Sequence, residues 1–230
     1  MKVISYDTGR VTWLFPTEEF LPLGSGDGRA IIEQVAEKYE FSHPPQNPSR
    51  EEVEKNGLKF GGGRFVFDGK LFVINEFVAY NDGIVAVAPA TEPATAFLED
   101  IVEFLKEAFQ FRSPITPIKK VSVSNVIIEF DGPINSMLAE HEAFTNLISG
   151  YLNANEGTSF PAKLSRLDFT QDRGASEKPV SLPKWTLEAR ANVPISQNRY
   201  FSSAAIPTKQ HLQMIQEIEA IFLKRTAGSH

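Results

Sequence analysis

Asp68-Gly69, set between two runs of β-branched and aromatic residues, restricts this chain more than any other feature. Arg64–Phe67 precede it and Lys70–Tyr80 follow it. An Asp-Gly pair between such runs supplies the two positive φ angles of a type I′ hairpin. Asn81-Asp82-Gly83 repeats the turn chemistry and leads into a third strand, Ile84–Ala88. Phe72, Ile74 and Val78 share one face of the middle strand, and Leu71, Val73 and Phe77 share the other. A sheet apolar on both faces is expected to be covered on both. An amphipathic helix over Pro93–Phe111 follows, with Phe97, Leu98, Ile101, Phe104, Leu105, Ala108 and Phe109 as its stripe.

The flanking sequence extends this block in both directions. Val3–Tyr6 and Val11–Phe15 read as two short strands hairpinned across Asp7-Thr8-Gly9-Arg10. A helix is expected over Arg29–Tyr39, with Asp27 as its N-cap. Ser49 and Glu52 form a capping-box pattern with Gly57 after the last turn. Beyond the Pro114- and Pro117-containing linker 112–118 come a strand over Lys119–Phe130 and a helix from Pro133 to Leu152. Strands near Lys163–Gln171, Lys184–Val193 and Arg199–Ile206 lead to a last helix over Lys209–Lys224, with Thr208 as N-cap. The fold class expected is α+β. Two lobes, 1–111 and 119–227, each have the order β-α-β-β-β-α, an internal pseudo-repeat in which an antiparallel sheet packs with helices. Gly228-Ser229-His230 read as an expression-tag scar.

Composition narrows the chemistry. The chain has 230 residues and no cysteine, which excludes disulfides, thiolate metal sites and cysteine nucleophiles. Its 18 Phe provide ample material for a core. Neither a signal peptide nor a membrane span is read in it, so the expectation is a soluble cytoplasmic protein with no membrane partner. The net charge is −6, and residues 1–113 carry −7 of it against +1 for 114–230. An acidic first half repels a phosphate backbone and disfavours duplex nucleic acid as partner.

Several local patterns resemble sites, and each has a plainer reading. Gly24, Gly26 and Gly28 precede a helix and would suit an anion cradle. The loop lacks the spacing of a P-loop or a dinucleotide fingerprint, and Asp27 repels anions. A flexible loop with an N-cap is the favoured reading. Gly61-Gly62-Gly63 beside Arg64 admits a ligand near the backbone, or simply a bulge. Glu76 interrupts an apolar strand and needs a partner, for which Arg64 is the nearest candidate. His141 lies on the apolar stripe Ile134, Leu138, Ile148 and Leu152, the pattern of a satisfied core histidine. His43 sits in a Pro-rich loop and His211 opens the last helix. No zinc, serine-hydrolase or nucleotide motif is present, and no cofactor is expected.

The second-half sheet holds the principal candidate surface. Arg166, Asp168, Thr170 and Asp172 alternate with Leu167 and Phe169, and Thr186, Glu188, Arg190 and Asn192 alternate with apolar residues. If the two strands pair, Arg166 is expected opposite Glu188 and Asp168 opposite Arg190. Such a face is a recognition surface, an acid–base pair, a cation site through Asp168 and Asp172, or ordinary cross-strand ion pairing. Three functions follow. The favoured one is a non-catalytic interaction or assembly protein, self-associating or part of a larger complex. The second is an enzyme or small-ligand binder using this polar face or the cleft between lobes. The third is a nucleic-acid-associated protein acting through the second half.

Overall fold

The computed structural model describes residues 1–22, 28–46, 48–132, 142–156, 163, 165–170 and 184–227. Its elements in chain order are β1 (Lys2–Leu14), α1 (Thr17–Phe20), α2 (Gly28–Lys38), α3 (Arg50–Asn56), β2 (Leu58–Phe67), β3 (Lys70–Tyr80), β4 (Gly83–Ala88), α4 (Thr91–Phe109), β5 (Lys119–Glu129), α5 (Glu142–Glu156), β6 (Arg166–Thr170), β7 (Lys184–Ala189), β8 (Arg199–Ala204) and α6 (Thr208–Ala227). The strands form an eight-stranded sheet in the order β2-β3-β4-β1-β5-β8-β7-β6. The pairs β1–β4, β2–β3, β3–β4, β6–β7 and β7–β8 are antiparallel. The fold class is α+β. Two compact units divide the chain. The N-terminal unit is Tyr6–Ser124 with Ala205–Lys209, and the C-terminal unit is Met1–Ser5, Asn125–Ala204 and Gln210–His230.

In the N-terminal unit the β2–β3 hairpin forms as its turn requires. Asp68 and Gly69 take φ of 49° and 71°, and the register runs from Phe67↔Lys70 to Leu58↔Ala79. The capping box at Ser49–Glu52 closes from both sides, and Gly57 ends that helix at φ 71°. The hairpin expected across residues 7–10 does not form. β1 is one strand of 13 residues, and Gly9 pairs with Ala88. A Cβ on Gly9 would lie 2.1 Å from the Ala90 carbonyl carbon. This glycine therefore serves a close backbone approach and not a turn.

Phe97 of α4 anchors the unit's core. Its ring meets Tyr39, Phe77, Phe65 and Phe41 at centroid distances of 4.9, 5.5, 5.8 and 6.2 Å. Edge-to-face pairs of this kind add about 0.5–1.5 kcal/mol each beyond their buried area. All of these partners lie in the helix's own unit. The start of α4 is tied to the start of α6. Thr91 donates its N–H to Thr208 Oγ1 (3.0 Å), and Thr208 donates its N–H to Thr91 Oγ1 (2.7 Å). Each threonine thus supplies the acceptor that the other helix's first turn lacks. Thr208 was expected to cap its own helix; it is the first helical residue and caps α4 instead.

In the C-terminal unit the described core is Val126, Ile128, Phe130, Leu187, Tyr200 and Ile215. The helix expected from Pro133 is described only from Glu142 and runs to Glu156, past the expected end at Leu152. β7 stops at Ala189, so Arg190 lies just beyond the strand. There its N–H still reaches the Arg199 carbonyl at 3.0 Å.

Candidate functional site

The register of β6 against β7 decides the geometry of the polar face. Arg166 stands opposite Glu188, as expected, and its Nη1 lies 3.4 Å from Glu188 Oε2. Asp168 stands opposite Thr186 and not Arg190. The two expected pairings required registers four residues apart, so one antiparallel ladder admits only one of them. Asp168 is held from both strands: Arg166 Nε of β6 donates at 2.6 Å, and Thr186 Oγ1 of β7 donates at 2.6 Å. These bonds from Arg166 and then Thr186 hold the Asp168 carboxyl below its ordinary range. A carboxylate so held is a weak base and has no proton to donate at neutral pH. Thr170 is exposed opposite Lys184. Asp172 lies outside the described residues. Nearby, Arg199 Nε bonds Glu129 Oε2 at 2.6 Å.

On β8, opposite Leu187, Ser202 belongs to an arrangement no sequence pattern announced. Ser202 Oγ and His211 Nε2 are 2.9 Å apart, the separation of a nucleophile and its base. Both residues are 0% exposed. Trp185 Nε1 donates to Ser202 Oγ at 3.0 Å, and the serine donates to the Thr186 carbonyl at 3.1 Å. A hydroxyl has one proton and two lone pairs. With its proton on Thr186 and one lone pair on Trp185, Ser202 accepts from His211, which assigns the proton to Nε2. Burial lowers the pKa of His211 to about 4, so the ring is neutral. A hydroxyl sealed from solvent, its proton on a backbone carbonyl, is a structural group.

The other expected sites resolve into packing. Gly24 and Gly26 lie outside the described residues, and Gly28 is the first residue of α2. A Cβ on Gly62 would meet Ser42 Oγ at 2.3 Å, and one on Gly63 would meet the Phe41 ring at 2.4 Å. That glycine run therefore admits the segment Phe41–His43, which also bridges to β2 through His43 and Gly61. Glu76 pairs with Lys59, and Arg64 pairs with Glu40 at 2.8 Å, so the expected Arg64–Glu76 pair does not form. His141 lies outside the described residues. Among the described residues no three His, Asp or Glu gather as metal ligands, and no helix is long and apolar enough to cross a membrane.

Two features of the N-terminal unit are unaccounted for by packing. The first is the outer face of the β2–β3 hairpin. Val78 and Val85 are buried, but Val66, Leu71 and Val73 are 63%, 64% and 50% exposed, so the expected cover on both faces is incomplete. Val66 stands opposite Leu71, and Arg64 opposite Val73, which places all four side chains on one face. β2 is also an edge strand. Arg64 donates its N–H outward to the Tyr39 carbonyl at 2.7 Å, so Val66, two residues on, also points its backbone groups outward. Among the described residues nothing pairs with Val66 on that edge.

The second is a cavity of about 300 Å³ under the sheet. It is lined by apolar side chains from α2, α4 and the strands, with Thr17, Tyr80 and Asn81 as the polar exceptions. Compared with known proteins, the chain matches no family model, no curated protein and no solved structure.

Proposed function

We propose that this chain is a non-catalytic assembly protein that associates with a second copy of itself through the β2–β3 hairpin. The observation that carries this reading is the exposed row Val66, Leu71 and Val73 beside an edge strand whose Val66 backbone groups have no partner among the described residues. Apolar residues on a sheet edge are ordinarily blunted, since such an edge recruits other strands. Charge favours a second copy as the occupant. In antiparallel self-pairing centred on Val66, residue 64 of each chain faces residue 68 of the other, so Arg64 would exchange its partner Glu40 for Asp68 of the second copy. The reading of an enzyme on the polar face of β6 and β7 loses support, because Arg166 and Asp168 occupy one another.

Sedimentation velocity over a concentration series tests the proposal. The unaltered chain is expected to dimerise, and Leu71→Asp or Val66→Asp to be monomeric with an unchanged melting temperature. A chain that stays monomeric at every concentration, or variants that still dimerise, would overturn it.

A further inference from the structure

We infer that the cavity of the N-terminal unit is a binding site for an uncharged, mainly apolar small molecule of roughly bicyclic size. This does not depend on self-association, because the cavity and the hairpin face use different side chains.

The lining defines the chemistry. Phe20, Ile31, Phe60, Phe77, Ile101 and Leu105 close most of the wall, and among the described residues no Asp, Glu, Lys, Arg or His lines it. A charged ligand would lose its hydration there with nothing to replace it. One end is polar. Thr17, Tyr80 and Asn81 meet there, and Thr17 Oγ1 donates to the Asn81 carbonyl at 2.6 Å. The threonine's proton is thereby engaged, and its oxygen keeps a lone pair for a ligand hydroxyl. Ligand pockets share this composition, apolar walls with a few convergent polar groups, and begin at about 300 Å³.

Size follows from volume. An apolar cavity of about 150 Å³ accommodates benzene. The cavity here, about 300 Å³, matches a molecule near twice that bulk with one hydroxyl. Its walls come from elements fixed by the aromatic core, since Phe60 and Phe77 stack at 5.6 Å and Phe77 meets Phe97 at 5.5 Å.

The test uses the full chain and 2-naphthol as probe, followed by its fluorescence and by the melting temperature. Saturable binding with a raised melting temperature is expected, and naphthalene-2-sulfonate is expected not to compete, since its charge has no partner inside. Ala79→Phe and, separately, Val35→Phe fill the cavity from the strand side and the helix side. Each is expected to abolish naphthol binding while holding or raising the melting temperature of the unliganded protein, because the ring enters space and not atoms. Absence of saturable binding overturns the inference. So does equal binding of the sulfonate, or binding that survives both fillings. A fall in melting temperature in both variants without ligand shows the space to be packed and also overturns it.

Discussion

The two units solve the problem of burial differently. The N-terminal unit builds its interior from rings. Phe15, Phe20, Tyr39, Phe41, Phe60, Phe77 and Phe97 are all buried in one cluster. Among its described residues the C-terminal unit buries few large apolar groups and places polar ones among them: Ser202, His211, Thr186 and Glu219. Each of these has a bonded partner. Glu219 accepts from the Met1 α-ammonium (2.7 Å) and from the Asp131 N–H (2.7 Å). A core of rings is held by area and shape, which are insensitive to pH. A core of hydrogen-bonded polar groups depends on the protonation state of each member. It is also the aromatic unit that contains the cavity described above.

Three measurements can break or sharpen that contrast. The largest effect is expected in the ring cluster. Phe97→Ala should cost about 3–5 kcal/mol in urea unfolding, because it removes a fully buried ring that four others contact. A loss below about 1 kcal/mol, the scale of a surface substitution, would show that the cluster repacks freely.

Next is the pH response of the C-terminal unit. His211 has an ordinary pKa of 6.5 unfolded and about 4 folded, lowered by burial. A base whose folded pKa is depressed contributes stability above the unfolded value, and that stability is lost as pH falls through the folded one. The loss should amount to about 3 kcal/mol between roughly pH 6.5 and 4, at about 1.36 kcal/mol per unit. His211→Gln should flatten this segment of the stability curve, and a curve that keeps its slope assigns the effect elsewhere. The buried rings should contribute no such slope.

The smallest effect is expected on the polar strand face. Arg166→Gln should leave the melting temperature unchanged, since exposed pairs on a sheet contribute little. Asp168 retains Thr186 as donor in that variant. A clear drop would mean that the face supports the unit and is more than a solvated surface.

Local chemistry made much of this protein legible in its sequence. Asp68-Gly69 determined a hairpin and its register, because both positive φ angles come from residues that accept them. Ser49 and Glu52 determined a helix start, and the stripe of α4 determined which face is buried. Each of those devices acts within a few residues. What tertiary structure alone decided acts across the chain. Gly9 read as a turn residue because its function, admitting the backbone near Ala90, depends on a residue 81 positions away. Thr208 read as its own helix's cap because Thr91 was invisible as an alternative. Ser202 and His211 are nine residues apart on a strand and a helix, and nothing in their spacing announces a 2.9 Å contact. Asp168 and Arg190 both belonged to a plausible polar row, but a single register selects one partner for each residue. The apolar hairpin face and the cavity are likewise properties of what the fold leaves uncovered. A sequence specifies which residues seek burial; only the packed chain determines which of them find it.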